Sequence, residues 1–223
     1  KAEIYSYVCD ISKKDKVYEI AEKVKNQVGD ITCLVLNAGI VHGKPFLEAS
    51  DEFMEKVMQV NCLSHFWTTK AFLPSMLKNN YGSVVTISSA AALAGCPRLA
   101  DYCASKSGCF AFNESLRLEY RCSHPGIKFL IVAPFFIDTG MFDGVNTKVP
   151  WILPLLQPDY VVDRIISSMR RNPGIIVIPH SCAFLSYFLR LTTPSYFFDY
   201  IGEVLGITDA MQGFKSKESK KNQ

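Results

Sequence analysis

The chain has 223 residues, of which 48% are hydrophobic and 20% charged, with a formal net charge of +3. Such a length suits one domain with a real core, and the balance excludes an intrinsically disordered chain. The small, scattered positive excess gives no case for a nucleic-acid partner; the one basic cluster is the tail FKSKESKKNQ, residues 214–223.

Taken in order, EIYSYVCD (3–10) reads as a strand, and residues 13–28 carry Val17, Ile20, Ala21 and Val24 at helical spacing. ITCLVLN (31–37) reads as a buried strand. Residues 51–79 make one long helix or two consecutive ones, with Phe53, Val57, Val60, Phe66, Phe72 and Met76 on the apolar side. GSVVTISS (82–89) is a strand, residues 100–121 a helix, and GIKFLIVAP (126–134) a strand ended by Pro134. Residues 158–171 are a helix, and GIIVIP (174–179) is the last strand. Apolar strands alternating with helices imply an α/β fold with a parallel sheet covered on both faces. Ligands of such sheets bind beyond the carboxyl ends of the strands. That rule selects NAG (37–39), SS (88–89) and PFFIDTG (134–140).

Eight cysteines without a Cys-x-x-Cys pair, several inside apolar runs, read as free thiols of a reducing compartment and support no metal site. The sequon Asn113-Glu114-Ser115 lies in a helical pattern and is discounted as a glycosylation site. No run of about 20 apolar residues marks a membrane span. The N-terminus, KAEIYSYVCDIS, has neither an initiator Met nor a signal-peptide plan.

Tyr102 and Lys106 in DYCASK are four residues apart, on one face of a helix. By itself that is common helix chemistry. Ser89 ends the preceding strand, and a loop with Gly95 and Pro97 can return it beside Tyr102. Asn61 sits midway along the earlier helical stretch. LVLNAGIV, VNCLSHFWTTKAFLPSM, GSVVTISSAAALAG and YCASK, at this order and spacing, resemble the short-chain dehydrogenase/reductase family over nearly the whole chain. ADYCASK, APFFIDTGMFDG, LPLLQPDYVVDRI and the hydrophobic C-terminal third resemble its membrane-associated branch of retinol and lipid-droplet 17β-hydroxysteroid dehydrogenases.

The resemblance implies a Rossmann-like doubly wound parallel sheet, truncated because the first two strands and the glycine-rich turn do not precede Lys1. Residues 1–178 are expected to form this partial domain, 179–210 its hydrophobic C-terminal segment and 211–223 a polar basic tail. The resemblance assigns Tyr102 as acid/base, Lys106 as its partner and ribose ligand, Ser89 as the hydroxyl orienting the substrate oxygen, and Asn61 as anchor of a relay water. An ammonium near a phenol favours phenolate and is expected to lower the Tyr102 pKa. Asp10 looks like the residue near adenine, Asn37, Ala38 and Gly39 like the turn approaching the cofactor, and Pro134 and Thr139 like the segment over nicotinamide. Phe135 stands where the family has glycine, and LNAG where NNAG is commoner.

The implied reaction is NAD- or NADP-dependent interconversion of a lipophilic alcohol with its ketone or aldehyde, of the retinoid or steroid class. Its pocket would be the apolar stretch with Phe135, Phe136, Met141, Phe142, Trp151, Ile152 and Leu155, and Ser89, Phe136 and Met141 would meet the substrate. The alternative is an inactive product lacking the cofactor-binding turn. Implied partners are a homodimer and a membrane or lipid-droplet surface. Residues 180–206 are aromatic-rich and read either as an interfacial segment or as a cap on the pocket. The branch points to the endoplasmic reticulum membrane or lipid droplet, and a chain without the N-terminal anchor to the cytoplasm.

Overall fold

Four of the apolar runs become parallel strands in the structure, a computed structural model that describes residues 2–171 and 173–214. They are β1 (Cys33–Leu36), β2 (Gly82–Ile87), β3 (Ile127–Pro134) and β4 (Ile175–Ile178), and they pair in that order. Parallel neighbours need long crossovers, and each is helical. Helix α1 (Lys14–Gln27) precedes β1. Helix α2 (Asp51–Met58), a π-turn (Gln59–Leu63) and α3 (Ser64–Asn79) join β1 to β2 without a break. Helix α4 (Ala100–Tyr120) joins β2 to β3, and α5 (Pro158–Arg171) joins β3 to β4. After β4 come α6 (His180–Ala183), a second π-turn (Phe184–Leu189), α7 (Arg190–Thr192) and α8 (Ser195–Val204).

Successive strand residues face opposite sides of the sheet, so a strand covered on both faces, as β2 and β3 are, feeds two cores. On one side Leu34, Leu36, Val84 and Phe129 pack with Leu73 and Met76 of α3. On the other, Val85, Leu130 and Val132 pack with Val161 of α5. The centre of the sheet therefore reads as continuous apolar sequence, as expected for strands buried on both faces.

Two expectations need correction. Residues 3–10 form no strand: Ile4 and Val8 are 92% and 100% exposed, and no strand among the described residues lies beside them to supply hydrogen bonds. A strand exists only by pairing, so its apolar pattern alone leaves it as coil. β1 is buried on one face only, since Leu34 and Leu36 are covered while Cys33 and Val35 are exposed. Its far edge carries no strand among the described residues.

Close packing of the α2–α3 run against α4 depends on Gly108. A Cβ there would lie 2.8 Å from Cys62 Sγ, inside contact distance. The C-terminal segment belongs to the same body. Cys182, Leu205 and Ile207 share a cluster with Leu153 and Val177, while Ala210 and Met211 are buried against Leu99 and Tyr102. Thus the expected polar tail starts with a core residue at 211; residues 215–223 lie outside the described residues. Asn113 is fully buried and donates to Thr86 Oγ1 at 2.7 Å, which removes it from any glycosylation chemistry.

Candidate active site

The strand ends open into a cavity of about 720 Å³. Asn37 and Gly39 reach it from the end of β1, Ser88 and Ser89 from the end of β2, and Pro134 to Ile137 from the end of β3. Tyr102 and Lys106, on the inner face of α4, complete that wall. The strand-end rule and the helical spacing thus converge on one place.

Ser89 is held by its local turn. Its Oγ accepts from the Ala91 N–H at 3.1 Å, capping a 3₁₀ turn over Ala90–Ala92. Its hydroxyl also hydrogen-bonds Tyr102. Tyr102 stands in the first turn of α4, 4% exposed, its ring edge-on to Phe142 at 5.8 Å between centroids. Lys106, one turn on, is equally buried. Its ammonium donates to the Ile87 carbonyl at 2.9 Å and lies 5.7 Å from the centre of the Tyr102 ring. Ser88 donates to the Lys106 carbonyl at 2.8 Å, fastening the end of β2 to α4.

Asn61 is at the middle of the π-turn, a distortion that often marks functional positions. It is fully buried. Its Oδ1 accepts from Ile40 N–H at 2.8 Å, and its Nδ2 donates to Ile40 O and Ser105 Oγ, each at 3.0 Å. Both amide hydrogens are therefore committed to protein, so the side chain ties the loop after β1 to α4. Ser105 in turn donates to the Tyr102 carbonyl at 2.8 Å.

The electrostatics differ from the expectation. Burial pushes the Tyr102 phenol well above its ordinary value, and the Ser89 hydrogen bond pulls it back only in part. The expected lowering by Lys106 is not found: loss of water around the phenolate dominates, and the Ser89 hydrogen bond is what acts downward. Burial also holds the Lys106 ammonium below its usual range, with the Cys109 and Cys62 thiols opposing. Nearby His65, buried and with neither ring nitrogen hydrogen-bonded among the described residues, is pushed down to about 3 by burial and then by Lys106.

The other expected site residues divide. Thr139, Phe136 and Met141 line the cavity with Pro134. Phe135 and Phe142 do so too, whereas Trp151, Ile152 and Leu155 do not. Trp151 is 78% exposed, and Ile152 packs into the core beside Leu153. Ala38 is exposed beside the cavity rather than lining it. Asp10 stands apart from it: exposed, it accepts from Ser12 N–H at 3.0 Å and Ser12 Oγ at 2.7 Å, which lowers its pKa.

Sequence reasoning placed no individual C-terminal residues in the pocket. The structure puts Leu185, Phe198, Ile201 and Leu205 in the lining of the cavity with Tyr102. The aromatic richness of 180–206 signalled a cap, but only the fold shows which face turns inward.

Residues 1–150 match the family described as short chain dehydrogenase. The chain belongs to the short-chain dehydrogenase family. This short-chain dehydrogenase is 46% identical over 221 residues to human epidermal retinol dehydrogenase 2, covering 97% of this chain and 70% of that protein. With human retinol dehydrogenase 10 it shares 43% over 180 residues, covering 79% and 53%. An alcohol dehydrogenase from the archaeon Thermococcus sibiricus, solved in complex with 5-hydroxy-NADP, shares its fold. The TM-score is 0.66 at 24% identity, over 79% of this chain and 74% of that one. The family resemblance and the Rossmann-like α/β fold are borne out, and by family this short-chain dehydrogenase is an oxidoreductase.

Proposed function

We propose that the chain interconverts a lipophilic alcohol and its aldehyde or ketone, of the retinoid or steroid class, with NAD or NADP. The observation that carries this reading is the meeting of Ser89, Tyr102 and Lys106 on one wall of a cavity whose other walls are aromatic and aliphatic. The retinol dehydrogenase names of the relatives support the substrate class, and they give the inactive alternative no support. The NADP analogue in the archaeal enzyme supports the cofactor class.

The residues present fit a nicotinamide ribose. A Cβ on Gly39 would stand 3.5 Å from both Asn61 Oδ1 and Lys106 Nζ, so the turn brings bare backbone up to the lysine. Asn37, Gly39, Lys106 and Thr139 would hold the cofactor along the strand ends, with Pro134 beneath. Bound there, nicotinamide supplies or takes the hydride. Ser89 orients the substrate oxygen and donates to it as negative charge develops. In reduction the Tyr102 hydroxyl gives that oxygen its proton; in oxidation the phenolate takes the proton of the alcohol. Burial keeps the phenol protonated, which suits the acid role, and the buried Lys106 charge opposes that effect when phenolate is needed. Both amide hydrogens of Asn61 are spent, so a relay water there would be held by carbonyl groups of the π-turn. The test is Tyr102→Phe in the full-length protein, with retinol and steroid turnover measured; retained turnover would refute the assignment.

A lipid surface as partner has its own support. Phe184, Phe188, Tyr196 and Tyr200 are exposed on the helices whose other faces line the cavity. An aromatic outer face at the mouth of an apolar pocket suits uptake from membrane or droplet. Among the described residues no helix is long and apolar enough to cross a membrane. Removing residues from His180 onward and following partition into vesicles tests this; undiminished binding would end it. A homodimer would use the π-turn, α3 and α4, where Leu63, Phe66 and Leu118 are exposed, and sedimentation would report it.

A further inference from the structure

The loop after β1 carries a second buried pair that the chemistry above does not use. His42 and Asp101 are distant in sequence, yet His42 Nε2 lies 2.9 Å from Asp101 Oδ2, and both side chains are under 9% exposed. Neither lines the cavity. The His42 ring is fixed on two more sides: its Nδ1 accepts from Lys44 N–H at 2.8 Å, and Phe53 meets it edge-on at 5.0 Å. A nitrogen that accepts carries no hydrogen, so the neutral ring bears its proton on Nε2, facing the carboxylate. The other carboxylate oxygen, Asp101 Oδ1, accepts from Tyr102 N–H at 2.8 Å. One line of contacts therefore runs from the Lys44 amide through His42 and Asp101 to the amide of Tyr102.

Nε2 and Oδ2 are close, yet neither makes a hydrogen bond among the described residues, so electrostatic attraction between the ring N–H and the carboxylate holds the contact. Asp101 needs such company. A nearly buried carboxylate is costly unless compensated, and its compensation comes from the Tyr102 amide, the positive end of α4 and His42. Gly43 lets the loop make this turn: its φ is +68°, and a Cβ there would fall 2.3 Å from the Phe214 ring. The bridge from Ile40 through Asn61 to Ser105 fastens the same loop one turn further along α4. The loop thus grips α4 at 101 and at 105, on either side of Tyr102.

We propose that His42 is a positioning residue: with Asp101 it clasps the first turn of α4 to the loop after β1 and so aims the Tyr102 hydroxyl at Ser89. The assignment rests on the dehydrogenase reading for its kinetic consequence, while the clasp itself is open to a direct test. His42→Leu removes the contact, His42→Gln restores an N–H donor near Nε2, and Asp101→Asn keeps an acceptor for the Tyr102 amide but loses the charge. In the full-length enzyme, His42→Leu is expected to lower kcat roughly 10- to 100-fold, with KM for alcohol and cofactor within about threefold. His42→Gln should recover most of kcat. Independently of turnover, nitrogen NMR should find His42 in the Nε2–H tautomer, and amide exchange at Tyr102 should quicken in His42→Leu.

Wild-type-like kcat in His42→Leu, with the wild type active, would overturn the positioning role. So would a loss confined to KM, or a failure of His42→Gln to rescue. An Nδ1–H tautomer, or unchanged Tyr102 exchange, would overturn the clasp. An inactive wild type with normal exchange behaviour would instead mark failure of the dehydrogenase reading.

Discussion

The cavity has two walls of different construction. On the sheet side, the lining residues Tyr102 and Lys106 are buried and hydrogen-bonded to the segment that ends β2, while Asn61 and Ser105, outside the lining, are buried and bonded to each other. On the C-terminal side, α8 has no buried residue, and Tyr196 is 77% exposed although Phe198 and Ile201 line the cavity. The first wall is specified atom by atom, which suits the acid–base role proposed for it. The second is held by apolar contact, which fixes shape more loosely. Chemistry and substrate choice should therefore respond to mutation in different ways.

The sharpest break is expected on the rigid wall. Tyr102→Phe should cost about 10³-fold or more in kcat/KM, mostly in kcat, because the proposed proton donor is lost while the ring still packs. Steady-state kinetics would read it. Lys106→Met should cost about two orders of magnitude. Its sign follows from charge: an ammonium stabilises phenolate, so removing it raises the phenol pKa, and the base-reporting limb of the pH–rate profile moves to higher pH. An unmoved limb would separate Lys106 from Tyr102 electrostatically.

On the looser wall, Phe198→Ala should raise KM for a lipophilic alcohol roughly tenfold with kcat nearly kept, since burying such a side chain is worth about 1.5–3 kcal/mol. A fall in kcat instead would mean that both walls shape the transition state. His65 gives the comparison a pH axis. Its folded pKa of about 3 lies below the ordinary 6.5. Its contribution is thus present above about pH 6.5 and is lost as pH falls toward 3, because only the unfolded chain takes up the proton. Acid unfolding of His65→Leu should lack that part of the slope. The smallest effect is outside both walls: Trp151→Ser should change stability by less than about 0.5 kcal/mol in denaturant titration.

The rigid wall was also the more legible in sequence. Four-residue spacing put Tyr102 and Lys106 on one helix face and the strand-end rule picked out Ser89, but it was the family resemblance that singled the three out as a site. β2 and β3 were readable because both faces of each are buried, which leaves an uninterrupted apolar run. Residues 3–10 have an equally good pattern, but hydrogen bonds to a neighbour make a strand, and pattern cannot supply the neighbour. Trp151 misled for a related reason: in a coil without periodicity, hydrophobicity does not say which way a side chain turns. His42 and Asp101 left no local trace, since only the tertiary fold brings them together.

The π-turn at Gln59–Leu63 has a consequence for what the chain tolerates. Such a turn carries one residue more than α-helical winding, and one residue corresponds to about 100° of rotation. Ahead of it Val57 faces inward; behind it Thr69, Leu73 and Met76 do so as well. The extra residue acts as a phase shifter between these two inward stripes, with Asn61 at the crossover. Deleting one residue between 59 and 63 would rewind the segment as plain α-helix and swing everything downstream by about a quarter turn, carrying Leu73 and Met76 toward water. Point substitutions at Gln59 or Leu63 would leave that phase intact. At its two ends, Gln59 and Leu63, the turn can change its letters far more freely than its count.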